Sequence, residues 1–524
     1  MRLLHHPVLT CEESRRLEQE YFGLGCETEE TAMYRAGRAV ATAIEDDFEE
    51  IGGFPSLGRV LVLAGKGNNA GDALIAANTL LDRHPELELH VWLVFSPEEF
   101  RASLHGPFAL LRSRSRILAI EENTDLEALL REGAGLGCID LCLDGILGMG
   151  GSPPLRGTPR RVVRAVNDCP FIRFRASVDV PTGVFTEGDP DAFRADFTYA
   201  TGIAKTPLVP EAHLSSCGRV RYLDLGFFDH GLDAPADLHI LLPSNLWQLA
   251  SFRPAGTHKR DFGHLLLLAG SDPMPGACLM ASSAAVHAGT GLVTTASTPA
   301  AVDAGTVVLP EVMWHRTAAP EAGGLGPAVL GELDGLLAGA SALLVGPGLG
   351  EGDPQGQLVE RVVREVDLPL VLDASALRAE LPEWLAQRPA SFAPVVLTPH
   401  PGEWKRLGGE DAEGGGTAAL RSFCARTGTV VVRKGARTRI ANADRVVWSP
   451  FGGPVLARGG TGDLLAGMTG ALLAQHPRQP FEAAALAAVW HGTAADRLAR
   501  REGQAGVRTT QLLDYLSAAL GYHA

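Results

Sequence analysis

The spacing of apolar positions changes along the chain. In residues 9–49 apolar side chains recur every three or four positions among Glu and Arg, which predicts two amphipathic helices. Short continuous apolar runs follow, beginning at Arg59, Leu89, Cys138 and Phe171, with enough chain between them for crossover helices. Apolar strands that alternate with helices indicate a parallel sheet covered on both faces.

The pattern then loosens and starts again. Residues 231–257 contain several prolines and no sustained period, so we predict a boundary there, with domains 1–232 and 233–524. A length of 524 residues also exceeds the roughly 250–300 residues at which single cores stop growing. The apolar runs of the second half are HLLLLAG, GLVTTAS, ALLVGPGLG, PLVLDASAL, PVVLTPHPGE, TVVVRKG and the stretch RIANADRVVWS. Both halves are therefore predicted to be α/β domains with three layers.

Composition narrows the class of protein. The formal net charge is -15 and Lys and Arg form no long run, so a nucleic-acid partner is not expected. The N-terminus lacks the apolar segment of a signal peptide, and no run approaches the roughly 18 apolar residues of a membrane helix. Eight scattered cysteines, with no CxxC pair, are typical of reduced thiols. We expect a cytoplasmic enzyme that acts on small molecules, with no membrane partner and no structural zinc.

Polar and glycine-rich segments follow the predicted strands of the first half. Ligands of parallel sheets bind beyond the carboxyl ends of the strands, so residues 65–72, 144–151 and 179–183 are candidate site loops. The turn GKGNNAGD precedes a helical segment, and backbone N–H groups at a helix start bind anions. The alternative is a simple tight turn.

Three oxygen-bearing residues share that predicted edge. Asn69, Asp144 and Thr182 each offer a hard oxygen, and one carboxylate with neutral oxygens suits a monovalent cation. Asp179, at a strand end, is a candidate proton shuttle, or alternatively only a cap or turn former.

The second half carries a more specific segment. GGTGD, residues 459–463, leads directly into the apolar helical stretch LLAGMTGALLAQ, so its backbone is suited to phosphate and Asp463 is poised as a base toward a hydroxyl group. Lys434 in KGART is a candidate for neutralising phosphate charge. Taken alone, Lys434 and His400 of TPHPGE are more often a solvated charge and a structural histidine, and GPGLG is more often a bend.

Several motifs agree in order and spacing with one family. RAGRAVA, GKGNNAGDALIAA, DGILGMG and SVDVPTG in the first half, and GPGLG, VLDASAL, TPHPGE, KGART and GGTGD in the second, resemble the bifunctional NAD(P)H-hydrate repair enzymes. The resemblance spans nearly the whole chain. It implies a Rossmann-like epimerase domain of the YjeF N-terminal type, followed by a ribokinase-like dehydratase domain that uses ADP or ATP.

The resemblance also implies site residues, which fall into four groups. For hydrate binding in the epimerase they are Asn68, Asn69, Ala70, Gly71, Asp72, Gly148, Met149, Gly150, Gly151 and Asp179. For K⁺ they are Asn69, Asp144 and Thr182. For hydrate binding in the dehydratase they are Ala277, Gly348, His400 and Asp463. For the adenine nucleotide they are Lys434, Gly435, Ala436, Arg437, Thr438 and Gly462.

The chain departs from the family pattern at a few of these positions. Ala70 replaces a usual glycine and adds a methyl group where the backbone is expected to approach the ligand, and Thr182 stands where serine is common but keeps the hydroxyl group. Arg437 replaces a small residue, so a change of nucleotide contacts is expected there. The loop GSDPMPGA before Ala277 is unusually rich in proline. Ala70 thus puts turnover by the first domain in question.

The implied chemistry gives each domain a task. Asp463 takes the proton of the hydroxyl on C6, the nucleotide with Mg²⁺ phosphorylates that oxygen, and loss of phosphate restores the dihydropyridine. Asp179 serves the interconversion of the R and S hydrates. The resemblance favours ADP over ATP and a homo-oligomer. The alternatives are a ribokinase-type kinase of a vitamin or sugar, and a first domain that only binds nucleotide.

Overall fold

The computed structural model describes residues 1–25, 27–135, 137–185, 188–317, 323–410 and 416–521. It contains two compact units. The first domain is His6–Ala236, and the second domain is Asp237–Ala524 together with Met1–His5. The division thus lies a few residues beyond position 232, and the N-terminal pentapeptide belongs to the second domain. The expected linker also contains a strand of the second domain, Leu238–Leu241.

The first domain alternates strands and helices. Its strands are β1 (His5–Leu9), β2 (Arg59–Ala64), β3 (Glu88–Leu93), β4 (Arg116–Ala119), β5 (Ile139–Gly145), β6 (Ile172–Val178), β7 (Phe197–Thr201), β8 (Ala204–Lys205) and β9 (Arg219–Leu223). Its helices are α1 (Cys11–Gly23), α2 (Glu29–Phe48), α3 (Asn68–Arg83), α4 (His105–Leu111), α5 (Leu126–Ala134), α6 (Gly157–Asp168) and α7 (Leu214–Cys217).

The main sheet of this domain runs in the order β4-β3-β2-β5-β6-β7-β9, and its neighbouring strands are parallel. Alternate residues of β2 enter two separate cores: Val60 and Val62 pack in one, Leu61 and Leu63 in the other. Because side chains of a strand alternate between the faces of a sheet, both faces are covered by helices. The three-layer α/β prediction is confirmed.

The second domain is larger. Its strands are β10 (Leu238–Leu241), β11 (His264–Leu268), β12 (Leu292–Ser297), β13 (Met313–Arg316), β14 (Ala342–Val345), β15 (Leu370–Leu372), β16 (Val395–Leu397), β17 (Thr429–Arg433), β18 (Thr438–Ala441) and β19 (Val446–Ser449). Its helices are α8 (Pro275–His287), α9 (Pro299–Val308), α10 (Val329–Glu332), α11 (Asp334–Gly339), α12 (Asp353–Glu365), α13 (Leu381–Ala386), α14 (Pro401–Arg406), α15 (Thr417–Thr427), α16 (Thr461–Gln475), α17 (Pro480–Glu502) and α18 (Leu516–Leu520).

The sheet of the second domain runs β13-β12-β11-β14-β15-β16-β17-β18-β19-β10. It is parallel from β13 to β17, and antiparallel pairing joins β17 to β18 and β18 to β19. Helix α16 is buried along nearly its whole length, Leu464 to Ala474, which explains why its sequence is apolar on every side. The GGTGD segment therefore stands at the start of a central, rigid helix.

Each sheet has a point where the chain order reverses. In the first domain it lies between β2 and β5, and in the second between β11 and β14. Ligands of open parallel sheets bind in the crevice at such points, beyond the carboxyl ends of the strands. Among the helices that the structure describes, none has the length and hydropathy needed to cross a membrane.

Candidate functional sites

The loops after β2 and β5 meet closely at the crevice of the first domain. A Cβ atom on Gly65 would lie only 1.8 Å from the carbonyl oxygen of Ile146, so glycine is required there. Helix α3 begins just beyond, at Asn68, and its first N–H groups have no intrahelical acceptors. The crevice opens into a cavity of about 480 Å³. The lining residues from the strand-end loops, β8 and α3 include Gly67, Asn68, Asn69, Asp72, Leu147, Met149, Gly150, Asp179 and Lys205.

Asp144 is the centre of a buried hydrogen-bond network behind this cavity. Its carboxylate accepts from the backbone N–H and hydroxyl of Thr182, both at 2.8 Å, and from Ser177 Oγ and the backbone N–H of Ile146, both at 3.1 Å. The Thr182 hydroxyl also accepts from Leu147 N at 3.1 Å. Burial raises the pKa of Asp144 although these bonds favour its charged form. The network joins the loops that follow β5 and β6.

Asn69 faces the same region with an unsatisfied side chain. Its Oδ1 and Nδ2 atoms are buried, and neither has a hydrogen-bond partner in the part of the chain that the structure describes. A Cβ atom on Gly148 would lie 2.9 Å from Asn69 Cγ, so the glycine lets the β5 loop approach this amide. A buried amide without partners is costly, so this side chain calls for an explanation.

Asp179 has an unusual backbone and a buried cationic partner. Its φ of 63° lies in the left-handed region, which side chains other than glycine adopt only where the surroundings hold them. Its carboxylate accepts a hydrogen bond of 2.5 Å from Lys205 Nζ, and Lys205 is only 1% exposed. The ammonium group also donates to Thr201 O at 3.2 Å. Burial acts to lower the pKa of Lys205, but Asp179 and Glu18 outweigh it and raise the pKa.

Two further carboxyl groups face this ion pair. Burial raises the pKa of Asp72 well above its ordinary range. The negative charges of Asp179 and, to a smaller extent, Glu18 raise it further, while the positive charge of Lys205 opposes the rise. Burial likewise raises the pKa of Glu18, with Lys205 opposing and Asp179 adding. The cavity therefore concentrates acidic groups around one buried lysine.

The predicted epimerase residues divide into two sets. Asn68, Asn69, Asp72, Met149, Gly150 and Asp179 line the cavity. The others lie behind it: Ala70 and Gly71 are buried, a Cβ on Gly71 would collide with Met33, Gly148 lies against Asn69 and Gly151 against Phe185. The methyl group of Ala70 is 0% exposed and belongs to the apolar core. The expectation that this methyl group intrudes toward a ligand is wrong, because the side chain points into the core.

In the second domain the crevice brings Ala277 and Gly348 together. Gly270 N donates to Pro347 O at 2.8 Å across the crevice. Gly348 has a φ of 63°, and a Cβ atom there would lie 2.8 Å from Ala277 Cβ and 2.6 Å from Met274 O. The prolines of the preceding loop are compatible with this arrangement, since α8 starts at Pro275, where a helix tolerates proline.

The start of α16 carries the glycine-rich segment. Gly460 has a φ of 90°, and Thr461 Oγ1 donates to Leu456 O at 2.9 Å and to Arg458 O at 3.0 Å, which fixes the loop. Asp463 lies in the first turn of the helix. Burial raises its pKa to about 7; Asp373 adds to the shift, Lys434 opposes it and Glu403 adds to it. A carboxyl group with this pKa is suited to take a proton near neutral pH.

Lys434 lies beside two carboxylates. It donates to Asp373 Oδ1 at 2.8 Å, and its Nζ atom is 3.8 Å from Glu403 Oε2. A Cβ atom on Gly462 would be 3.3 Å from the same Nζ, so the lysine lies directly beside the glycine-rich loop. Thr398 Oγ1 also donates to Asp373 at 2.7 Å. The predicted residues Lys434, Gly462 and Asp463 thus share one site.

His400 is the N-cap residue of α14 and is largely exposed. Its Nδ1 atom accepts from Gly402 N at 2.9 Å and from Glu403 N at 3.3 Å. Glu403 returns the contact, because its Oε2 atom accepts from His400 N at 2.7 Å. This capping box holds the imidazole at the site edge, where its Nε2 atom lies 3.4 Å from Glu403 Oε1.

The side chains of the KGART segment face different surroundings. Gly435 and Ala436 are exposed, and Thr438 Oγ1 donates to Gly435 O at 2.9 Å. Arg437 is 2% exposed, and its guanidinium lies 5.5 Å from the centroid of the Trp448 ring. The expected change of nucleotide contacts by its side chain is therefore not supported, since Arg437 is part of the core.

Sequence reasoning missed some of these groups. Glu18 and Lys205 stand in the first domain, and Asp373 and Glu403 in the second. A lysine inside the apolar stretch TYATGIAK is itself a signal, because lysine is rarely buried without a partner. Asp373 and Glu403 belong to motifs that had been noted, VLDASAL and TPHPGE, and each follows a strand end.

The fold and both sites define an enzyme with two α/β domains. One has a cavity with acidic groups around a buried lysine, and the other has a glycine-rich helix start beside Asp463 and Lys434. A family model described as NAD(P)H-hydrate dehydratase matches residues 265–518, and one described as YjeF-related protein N-terminus matches residues 29–207. The chain belongs to the family of bifunctional NAD(P)H-hydrate repair enzymes.

Relatives match this chain over more than nine-tenths of its length. A bifunctional NAD(P)H-hydrate repair enzyme of Moorella thermoacetica is 32% identical over 93% of this chain and 92% of its own. One of Gloeobacter violaceus is 35% identical over 94% of both chains. Among solved structures, the ADP/ATP-dependent NAD(P)H-hydrate dehydratase of Bacillus subtilis, co-crystallised with ATP and Mg²⁺, is 30% identical over 53% of this chain and 96% of its own, with a TM-score of 0.45.

Proposed function

We propose that the protein repairs hydrated NADH and NADPH: the first domain interconverts their R and S forms at C6, and the second dehydrates the S form with ADP or ATP. The observation that carries the proposal is Asp463, a carboxyl group with a pKa of about 7 at the start of a buried helix beside Lys434. Membership of the repair-enzyme family supports the choice of substrate.

The dehydratase step needs a better leaving group than hydroxide. Asp463 accepts the proton of the C6 hydroxyl, and the oxygen attacks the terminal phosphorus of the nucleotide. The backbone N–H groups at the start of α16, together with Lys434, stabilise the charge that develops on the phosphoryl oxygens. Loss of inorganic phosphate from C6 and of a proton from C5 then restores the C5=C6 double bond of the ring. Ala277, Gly348 and His400 are proposed contacts of the hydrate, and Gly462 with residues 434–438 of the nucleotide.

Mg²⁺ is the expected companion of the nucleotide. Asp373 and Glu403 fit its preference for hard oxygens, since both carboxylates lie beside Lys434 at the edge of the phosphate loop. In the described part of the chain no three metal-ligand side chains are grouped. Mg²⁺ in phosphoryl-transfer sites is held mainly by phosphates and water with one or two carboxylates, and it neutralises charge there.

In the first domain Asp179 is the proposed acid/base residue, and the hydrate lies along residues 68–72 and 148–151. K⁺ is proposed at Asn69, Asp144 and Thr182. The buried, unpartnered Oδ1 of Asn69 fits a cation ligand. Asp144 and Thr182 fit a place behind the site, where the carboxylate of Asp144 supplies negative charge. Its hydrogen bonds with Thr182 and with the loops occupy the lone pairs of the carboxylate.

We also propose that the protein is cytoplasmic and assembles as a homo-oligomer. It is proposed to have no nucleic-acid or membrane partner. The family's role in repairing nicotinamide nucleotides supports the location, and resemblance alone supports the assembly. ADP is the proposed physiological donor on the same ground.

One assay tests both activities. The full-length protein is incubated with mixed R and S hydrates of NADH, Mg²⁺, K⁺ and either ADP or ATP, and NADH absorbance is followed to completion. Recovery of nearly all hydrate faster than spontaneous epimerisation supports both activities, and Asp463→Asn should abolish it. Recovery that stalls when the S form is exhausted refutes the epimerase. Nucleotide-independent or absent recovery refutes the dehydratase and favours a small-molecule kinase.

A further inference from the structure

The cavity of the first domain contains a second carboxyl group whose surroundings differ from those of Asp179. Asp179 is in direct contact with Lys205 at 2.5 Å. Asp72 lines the same cavity from the first turns of α3, and the charges of Asp179, Lys205 and Glu18 act on it through space. A pair of carboxyl groups in unlike environments is the arrangement by which one site holds an acid and a base together.

We propose that Asp72 and Asp179 are the two proton-transfer groups of the epimerase, Asp72 donating to the leaving oxygen and Asp179 accepting from the incoming water, and that Lys205 positions Asp179. The inference rests on the proposed function and assigns roles within that site. Lys205 is a positioning residue, because within the described residues its ammonium group donates to Asp179 and to Thr201 O.

The chemistry balances without an added reactant. The C6 carbon bears both the hydroxyl group and the ring nitrogen N1. Asp72 protonates the hydroxyl oxygen, the C6–O bond breaks with departure of water, and the N1 lone pair forms a C6=N1 bond. Water then adds to the opposite face of C6, Asp179 takes one of its protons, and the C6=N1 electron pair returns to N1. A proton passes from Asp179 to Asp72 through cavity water to reset the site.

Placement and charge support this division of roles. Burial keeps Asp72 protonated to a higher pH than an ordinary aspartic acid, and the nearby charge of Asp179 acts in the same direction. The groups that face Lys205 are Asp179, which directly follows β6, Glu18 and Cys11 of α1, and Asp72 of α3. The cavity lining carries four carboxyl groups, on Glu18, Glu29, Asp72 and Asp179, and three cationic groups, on Arg15, Arg101 and Lys205. Lys205 pairs with Asp179, so Asp72 on α3 is a cavity carboxyl group that does not touch the ammonium.

The test measures R-to-S interconversion by the full-length chain, after subtraction of the spontaneous rate. Asp72→Asn should lower kcat at least about 100-fold with KM changed less than about threefold, since loss of a general acid affects the chemical step. Asp82→Asn is the matched control: it makes the same change in α3, at an exposed residue paired with Arg114 at 2.6 Å. Dehydration of purified S hydrate should stay normal in both variants.

Lys205 is tested by the shape of the pH profile. Lys205→Met should move the ascending limb of kcat/KM to higher pH by roughly one unit or more, because a neighbouring cation favours the carboxylate. Lys205→Arg should keep the pH profile close to that of the wild type. If Lys205→Met fails to fold, Lys205→Arg is compared with the active wild type instead. An unchanged pH profile supports the role of the charge, and a displaced profile contradicts it.

Turnover in ¹⁸O-labelled water examines the bond that breaks. The scheme expects label in the C6 hydroxyl group once per epimerisation, above the spontaneous background. Epimerisation without label would overturn it, as would Asp72→Asn with activity within twofold of wild type. Those results leave the proposed function intact. A wild-type chain that does not accelerate interconversion at all would instead refute the proposed function itself.

Discussion

Lys434 donates a hydrogen bond of 2.8 Å to the carboxylate of Asp373, and both side chains are largely buried. The pair lies beside Gly462 at the start of α16, so it connects the loop after β15 to the phosphate loop. Burial acts to lower the pKa of Lys434, but Asp373 and Glu403 outweigh it and raise the pKa. The lysine therefore remains a cation beside the start of α16, where we propose that phosphate binds.

Removal of this cation should affect both stability and phosphoryl transfer. Lys434→Met leaves Asp373 charged and buried without its partner, which should lower the free energy of unfolding of the second domain by about 3 kcal/mol. Lys434→Met combined with Asp373→Asn should recover most of the stability but not the dehydratase activity. Urea unfolding and the hydrate assay measure the two effects, with the exposed Lys405→Met as control. Full activity in the double variant would contradict the assignment.

The pH dependence of the dehydratase should report Asp463. Its raised pKa of about 7 means that the basic form appears as pH rises through neutrality. The kcat/KM of the dehydratase, which reports the free enzyme, should therefore rise with pH with a midpoint near about 7 and level off above it. Asp463→Asn should remove both the activity and the transition. A profile flat from pH 5 to 9 in the wild type would count against Asp463 as the base.

The same raised pKa has a consequence for stability. A carboxyl group whose pKa is higher in the folded state favours folding in its protonated form, so its contribution is present at low pH and is lost as pH rises through about 7. Asp463→Asn should therefore stabilise the second domain relative to wild type at pH 8 more than at pH 5. Chemical denaturation at the two pH values measures this difference, and an equal effect at both would show that Asp463 titrates elsewhere.

The unsatisfied amide of Asn69 should account for any dependence on K⁺. Asn69→Ala removes a buried polar group without hydrogen-bond partners, so stability without ligand should hold or improve, while activation of epimerisation by K⁺ should be lost. Thr182→Val should instead destabilise the first domain by about 1–3 kcal/mol, because it removes the hydroxyl that joins Asp144 to Leu147. Epimerisation measured in K⁺ and in a large organic cation separates these outcomes. Retained K⁺ activation in Asn69→Ala would exclude the amide as a ligand.

Ala70 should be neutral for function. Its methyl group is fully buried in the core of the first domain, so Ala70→Gly should not raise kcat for epimerisation by more than about twofold. It should lower stability by about 0.5–1 kcal/mol, since glycine within a helix loses more conformational freedom on folding. Steady-state rates and thermal unfolding provide the comparison. A large gain in rate would mean that the methyl group does obstruct the ligand.

Local patterns determined most of the architecture. The helices over residues 9–49 are present as α1 and α2, and the apolar runs that begin near Arg59, Leu89, Cys138 and Phe171 are β2, β3, β5 and β6. GGTGD leads into α16 as expected. Strands β1, β4, β7, β8 and β9 of the first domain and β10 and β13 of the second were missed. β4 lies at the edge of its sheet, where an exposed strand needs no continuous apolar run.

What the sequence determined by itself was the period of each element and the loops that follow the strands, because hydrophobic spacing and glycine-rich turns are properties of neighbouring residues. The tertiary structure decided which side chains meet. The pairing of Asp179 with Lys205, distant in the chain, and of Asp373 with Lys434 depends on strand order and on burial, which convert ordinary charges into partners. It also placed Ala70 and Arg437 in the core, since the direction of a side chain is set by what packs against its element.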